Sequence, residues 1–140
     1  MKNYVLAAIS LANKYLPPKK LAHSMRVAEY ALNDYDFYKY PRVEDDEIFV
    51  VALLHDVVED TECTFEEIKA CGIPDYLIGY LDYLTNRKDE NYIEYIQRCA
   101  SGPAMPVIVK RADMKDHLLL KDTLSDRLKE KYLPALPYIL

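Results

Sequence analysis

The chain has 140 residues, of which 51% are hydrophobic and 29% are charged. This length suits one domain over residues 1–140, and the apolar content excludes a mainly disordered chain. The net charge of −5 argues against a nucleic-acid polymer as partner, because such binders normally carry a basic surface. No stretch approaches the roughly 18 apolar residues of a membrane span, and no signal-peptide cleavage pattern follows the first residues. The three cysteines lack disulfide or metal spacing, so we expect a cytoplasmic protein without a membrane partner.

Apolar residues recur at helical spacing along the chain, and no segment alternates with the period of two that is typical of strands. Only three glycines accompany eight prolines, which favours helices with sharp ends. We expect helices over about Asn3–Leu16, from Lys19, from Asp45, after Thr64 in a capping box with Glu67 and ending near Gly72, after Pro74, around Tyr92–Ile96, over about Ala104–Leu120, and over Ser125–Tyr132. Residues 34–41 are predicted to form a loop.

The third of these helices is apolar on every side between residues 48 and 54. A helix that is hydrophobic all round is normally buried, so we expect it at the centre of the domain. Three acidic residues at its start, Asp45, Asp46 and Glu47, complement the positive end of the helix dipole. The sequence therefore predicts an all-α helical bundle around a buried central helix.

Four ionisable residues follow at the end of this apolar helix: His55, Asp56, Glu59 and Asp60. If the helix continues at about 100° per residue, all four project from one side. Burying three carboxylates together is costly unless a positive charge compensates, and a divalent metal supplies one. The mixed imidazole and carboxylate set suits Mn, Fe or Zn better than Ca or Mg. The alternative is a solvated helix end, although acidic residues there oppose the dipole.

Two more residues could add ligands from other helices. His23 lies on an amphipathic helix beside apolar residues, and a lone histidine there is more often a satisfied core residue. Asp113 follows an apolar run and, taken alone, could be an ordinary surface carboxylate.

Taken together, these residues resemble those of HD-domain metal-dependent phosphohydrolases. Residues 52–61, ALLHDVVEDT, are similar to the hydrolase motif of RelA/SpoT-type enzymes and of small alarmone hydrolases. Residues 23–28, HSMRVA, resemble the family's HPLRVA, and residues 109–113, VKRAD, resemble its VKLAD. Residues 84–87, LTNR, followed by Glu90, Tyr92 and Tyr95, are similar to a segment of short stand-alone members. The resemblance covers about residues 20 to 140.

The resemblance implies one divalent metal, typically Mn²⁺, with Fe, Zn, Co and Ni as alternatives. The implied metal ligands are His23, His55, Asp56 and Asp113. The implied catalytic pair is Glu59 and Asp60, which would act on the attacking water and in proton transfer.

The sequence also departs from the family at two places. His117 replaces an asparagine that is expected to contact the nucleotide. Residues 17–20, PPKK, stand where long alarmone enzymes carry RKSG. Both departures concern the substrate more than the chemistry.

Candidate substrate contacts are Lys20, Arg87, Tyr92, Lys110 and His117. Tyr76, Tyr80 and Tyr83 run beside a leucine stripe, which predicts packing or a subunit contact and leaves a homo-oligomer open.

We therefore expect a metal-dependent phosphohydrolase with a nucleotide as substrate, the leading candidate being (p)ppGpp with loss of its 3′-pyrophosphate. The alternatives are an HD-type nucleotidase acting on another nucleotide, and a non-catalytic module that binds metal or nucleotide. The Glu59–Asp60 pair argues against the last of these, because binding alone needs no proton acceptor.

Overall fold

The computed structural model describes residues 2–119 and 126–140. This part of the chain contains helices and no β-strand, which confirms the predicted all-α class. The helices are α1 (Asn3–Tyr15), α2 (Pro18–Asp34), α3 (Asp45–Leu54), α4 (Val57–Asp60), α5 (Phe65–Ala70), α6 (Asp75–Tyr83), α7 (Tyr92–Ala100), α8 (Ala104–Leu119), α9 (Asp126–Tyr132) and a short 3₁₀ helix (Leu136–Tyr138). The predicted helix ends at Leu120 and Ser125 lie outside the described residues. None of the described helices is long and apolar enough to span a membrane.

Helix α3 lies at the centre, as its apolar sequence predicts. It packs against α1, α2, α6 and α8, and its residues 50–54 are all buried. The neighbouring helices bury small residues: Ala8 and Ala12 on α1, and Ala28 and Ala31 on α2, are each at most 2% exposed. Side chains of this size let helix axes approach closely. The central helix can therefore carry its C-terminal end into the middle of the molecule.

Several local signals act as the sequence predicts. The Thr64 hydroxyl caps α5 by accepting from the backbone N–H of Glu67. The reciprocal half of the predicted capping box is missing, because the Glu67 carboxylate instead accepts from Lys14 and Tyr15 on α1. Gly72 follows the C-terminus of α5 with a φ of 99°, a conformation that favours glycine.

One local prediction is wrong and matters for the site. The central helix does not continue through His55 and Asp56: α3 ends at Leu54, and these two residues form a turn before α4. The His55 side chain contributes to the break, because its Nδ1 lies 2.6 Å from the carbonyl oxygen of Ala52. Residues beyond the turn consequently do not follow the straight helical spacing that the sequence suggested.

The tyrosines that were predicted to pack along α6 differ in exposure. Tyr80 is half-buried against the core, whereas Tyr76 is 48% exposed.

Candidate metal centre

Three helical segments meet at the end of the central helix and bring together the four residues predicted as ligands. His23 comes from the middle of α2, His55 and Asp56 from the turn after α3, and Asp113 from α8. One donor atom from each residue lies within 4.8 Å of the others, so the cluster could hold a metal ion. His23, His55 and Asp113 are buried and Asp56 is partly buried. Residues up to 90 positions apart thus form one polar cluster inside an apolar molecule.

The two histidines are oriented alike, with one ring nitrogen turned outward to an acceptor and the other inward. His55 Nδ1 faces the Ala52 carbonyl oxygen, which can only accept, so Nδ1 carries the proton and donates. His23 Nδ1 lies 2.6 Å from a carboxylate oxygen of Asp116. In each neutral ring the inward Nε2 then presents a lone pair to the cluster.

The inward nitrogens face carboxylate oxygens at short range. His23 Nε2 lies 2.9 Å from Asp113 Oδ1, and His55 Nε2 lies 3.1 Å from Asp56 Oδ2. Lone pairs facing anionic oxygens repel unless a proton or a cation lies between them. Burial lowers the pKa of both histidines, but the carboxylates outweigh it, so the pKa of His23 is raised and that of His55 is raised well above its ordinary value. The cluster therefore calls for added positive charge, and a divalent ion fits its donor set.

Lys110 compensates Asp113 from within α8. Its Nζ lies 2.8 Å from Asp113 Oδ2 and 4.9 Å from the ring centroid of Tyr95, and the whole residue is only 7% exposed. Burial alone would raise the pKa of Asp113, but Lys110 and the surrounding histidines hold that pKa well below its usual range. Asp113 consequently stays ionised in a buried position. The structure places this predicted substrate contact beneath the cluster.

A second carboxylate on α8, Asp116, holds His23 from the outer side. It accepts from His23 Nδ1 and from Arg26, whose Nε and Nη2 lie 2.8 and 3.1 Å from its oxygens. Such a carboxylate fixes the tautomer and orientation of a ligating histidine. Sequence reasoning did not assign Asp116 a role, although its place three residues after Asp113 put it on the same helix face.

The predicted catalytic carboxylates, Glu59 and Asp60, lie side by side on α4 and have different partners. Glu59 accepts from the backbone N–H of Asn86 at 3.3 Å, and its pKa is raised by partial desolvation and then lowered somewhat by Lys110. Asp60 lies 2.7 Å from the Nζ of Lys20, another predicted site residue. The pKa of Lys20 is raised by Asp60 first, with smaller contributions from Asp56 and Glu59, so this pair lies near the cluster.

A row of rings forms one wall of the site. The ring of His117 lies 4.7 Å from that of His23 and stacks on Tyr132 at 5.3 Å, and Tyr132 meets Tyr92 edge to face at 5.6 Å. His117 and Tyr92, predicted as substrate contacts, therefore lie on this wall.

Two further cationic residues, Arg87 and Lys131, differ in their distance from the site. Arg87 is exposed and pairs with Asp82 at 3.4 Å, with no contact to the cluster in the described part of the chain. Lys131, on α9, was not predicted; its Nζ lies 4.5 Å from the ring centroid of Tyr92. A lysine near the end of a short helix carries no sequence signal for such a position.

Comparison with known proteins supports the resemblance seen in the motifs. No family profile matches the chain. Over 80 residues it is 32% identical to the guanosine-3′,5′-bis(diphosphate) 3′-pyrophosphohydrolase MESH1 of Drosophila melanogaster. This match covers 54% of the chain and 44% of the relative, so the chain spans less than half of that protein's length.

A solved structure gives the fold. It is that of a metazoan ortholog of SpoT that hydrolyzes ppGpp and plays a role in starvation responses. The two align with a TM-score of 0.68 and 20% identity, over 99% of this chain and 84% of the other. The chain has the HD-type hydrolase fold. The predicted resemblance to this class of hydrolase is confirmed.

Proposed function

We propose that this protein is a metal-dependent hydrolase that removes the 3′-pyrophosphate of guanosine 3′,5′-bis(diphosphate). The observation that carries the proposal is the buried cluster of two imidazoles and two carboxylates, next to Glu59 and on a fold shared with a ppGpp hydrolase. The similarity to the Drosophila 3′-pyrophosphohydrolase supports this substrate.

His23, His55, Asp56 and Asp113 would hold one divalent ion, since two neutral imidazoles and two carboxylates balance its charge. Mn²⁺ is the ion proposed, with Fe, Zn, Co and Ni as alternatives. When bound, the ion polarises a phosphoryl oxygen and lowers the pKa of water beside it.

The chain's own residues then handle the protons. Glu59, whose pKa is raised by partial desolvation, accepts a proton from the attacking water. The water oxygen joins the phosphorus next to the ribose, and the bond from that phosphorus to the 3′ oxygen breaks. The Lys20–Asp60 pair, which lies near the cluster, would supply a proton to the leaving 3′ oxygen. The products are pyrophosphate and guanosine 5′-diphosphate, with a free 3′ hydroxyl.

The test is pyrophosphate release from guanosine 3′,5′-bis(diphosphate) with Mn²⁺, using wild type and Glu59→Gln. Removing a general base typically costs 10²–10⁴-fold, so we expect kcat to fall by about that factor while metal content stays unchanged. Glu66→Gln, on the exposed face of α5, is the matched control and should keep wild-type turnover. Equal turnover in Glu59→Gln and wild type would remove Glu59 from the mechanism.

A second candidate function, hydrolysis of another nucleotide by the same centre, is favoured by one observation. His117, where the family carries asparagine, lies on the ring wall with its Nε2 3.5 Å from Asp113. A panel of nucleotides in the same assay separates the two candidates. Release of phosphate or pyrophosphate from a different nucleotide, with no release from guanosine 3′,5′-bis(diphosphate), would keep the mechanism and change the substrate.

A further inference from the structure

Among the residues that the structure describes, the cations around the candidate metal centre pair with carboxylates, except for one on α9. Lys20 pairs with Asp60, Arg26 with Asp116, and Lys110 with Asp113. Each of these cations therefore already has an anionic partner before any substrate arrives. The two carboxylates Asp56 and Asp113 balance the charge of a divalent ion, and the nearby Glu59 offsets the positive charge that Lys110 adds, so the centre itself offers little net attraction for a polyanion.

Lys131 is the exception. Its Nζ lies over two aromatic rings, 4.5 Å from the centroid of Tyr92 and 5.3 Å from that of Tyr132. No carboxylate of the described residues lies within ion-pair distance of it. Desolvation, followed by the charge of Lys110, lowers its pKa, whereas Asp113, Glu59 and Asp56 act weakly in the opposite direction. The ammonium group is thus close enough to interact electrostatically with the site carboxylates, yet it forms an ion pair with none of them.

The two rings limit where this ammonium can go. Cation–π contact holds a lysine weakly and leaves its donors free, unlike a carboxylate partner. Tyr92 also contacts Tyr132 and Tyr95, and Tyr132 stacks on His117, so the platform is continuous with the wall of the site. A partly desolvated ammonium with free donors is suited to an anionic oxygen, because charge-assisted hydrogen bonds are strong there.

We infer that Lys131 is a specificity-determining residue that binds the phosphate group of the substrate that does not react. The reacting phosphorus must lie at the metal ligands, where Lys110 is already bonded to Asp113. Lys131 is exposed and lies beside Tyr92 and Tyr132, so it is placed to meet another phosphate of the same nucleotide. The inference rests on the proposed function and adds a substrate class, namely nucleotides that carry a second phosphate group away from the scissile bond.

The test compares two substrates in three variants. Lys131→Gln removes the charge at similar length, Lys131→Arg keeps it, and Lys129→Gln changes an exposed lysine on the same helix. For guanosine 3′,5′-bis(diphosphate) we expect Lys131→Gln to raise KM by about tenfold or more, with kcat within about twofold of wild type. For guanosine 3′-diphosphate, which lacks 5′ phosphates, its KM should stay that of wild type. Lys131→Arg should retain most of the affinity, and Lys129→Gln should change nothing.

An unchanged KM in Lys131→Gln, or an equal rise for both substrates, would overturn the inference. Calorimetric binding of guanosine 5′-diphosphate with Mn²⁺ present gives a readout that is independent of turnover. If the wild type releases no pyrophosphate, the proposed function fails, but binding that is about tenfold weaker in Lys131→Gln still supports the inference. Binding of equal strength in the two proteins overturns it.

Discussion

At the scale of single residues, three of the four ligands of the candidate centre are each held by a second group that sets their protonation. The Ala52 carbonyl oxygen fixes His55, Asp116 fixes His23, and Lys110 fixes Asp113. These contacts turn both inward nitrogens and the carboxylates toward one point before a metal arrives. Preorganisation of this kind is what outer groups contribute to metal affinity, and replacing one typically costs 10–100-fold.

Asp116→Asn tests this contribution directly. The substitution keeps the size of the side chain but removes the negative charge that holds His23 and Arg26. We expect Mn²⁺ affinity to fall by about tenfold or more, measured by calorimetric titration of the purified variant. Asp34→Asn is the control, because Asp34 forms an exposed ion pair with Lys115 at the far end of α2. Equal Mn²⁺ affinity in Asp116→Asn and wild type would show that the carboxylate does not position His23.

At the scale of helices and turns, glycine has opposite effects at two positions. Gly72 ends α5 with a φ of 99°, which L-residues rarely adopt, whereas Gly79 lies inside α6 with open space where a Cβ would be added. We expect Gly72→Ala to lower the free energy of unfolding by about 1 kcal/mol or more, and Gly79→Ala to raise it by up to about 1 kcal/mol. Denaturant unfolding measures the free energy of unfolding of both variants. A stability change of the same sign in both would contradict the assigned backbone conformations.

The helix bounds show which parts of the fold can be predicted from the sequence. Helix starts were predictable where a local signal exists, as at Asp45 with its acidic first turn and after Thr64, whose hydroxyl caps α5, because such signals act on the nearest turn. The break at His55 was not predictable, since it depends on a side chain that bonds back to Ala52 inside the packed centre. After the break, the backbone N–H of Asp60 bonds to the carbonyl oxygen of Asp56, and the Asp60 carboxylate pairs with Lys20.

The residues of the candidate site also fall into those that the sequence predicts and those that it does not. His23, His55, Asp56 and Asp113 were predictable because they belong to motifs, and the structure brings them together. The roles of Asp116 and Lys131 depend on how α8 meets α2 and on where α9 lies, and no residue pattern records such distances. The positions of these two side chains are set by how the helices pack together and not by local sequence propensity.

At the scale of the whole molecule, the candidate centre joins helices that are distant in sequence. α2, the end of α3 and α8 each contribute donors, so a bound ion would connect three parts of the core. A ligand that binds only the folded chain stabilises it, by about 2.7 kcal/mol at a concentration 100 times its Kd. We therefore expect Mn²⁺ to raise the Tm, with Mg²⁺ giving a smaller rise because it prefers all-oxygen sites. A Tm that is equal with Mn²⁺ and with a chelator would contradict a metal at this position.

The same binding should depend on pH with a definite sign. Without a bound cation, burial lowers the pKa of His23 and His55, but Asp113 and Asp56 more than offset it and raise both pKa values above 6.5. Their contribution to the stability of the metal-free chain is therefore present below pH 6.5 and is lost as pH rises through the raised values. Mn²⁺ needs the neutral rings, so its binding displaces protons, and its affinity should rise as pH increases through this range. Calorimetric titration in two buffers of different ionisation enthalpy measures the protons released. Binding that releases no protons near pH 6.5 would mean that the histidines are not the ligands.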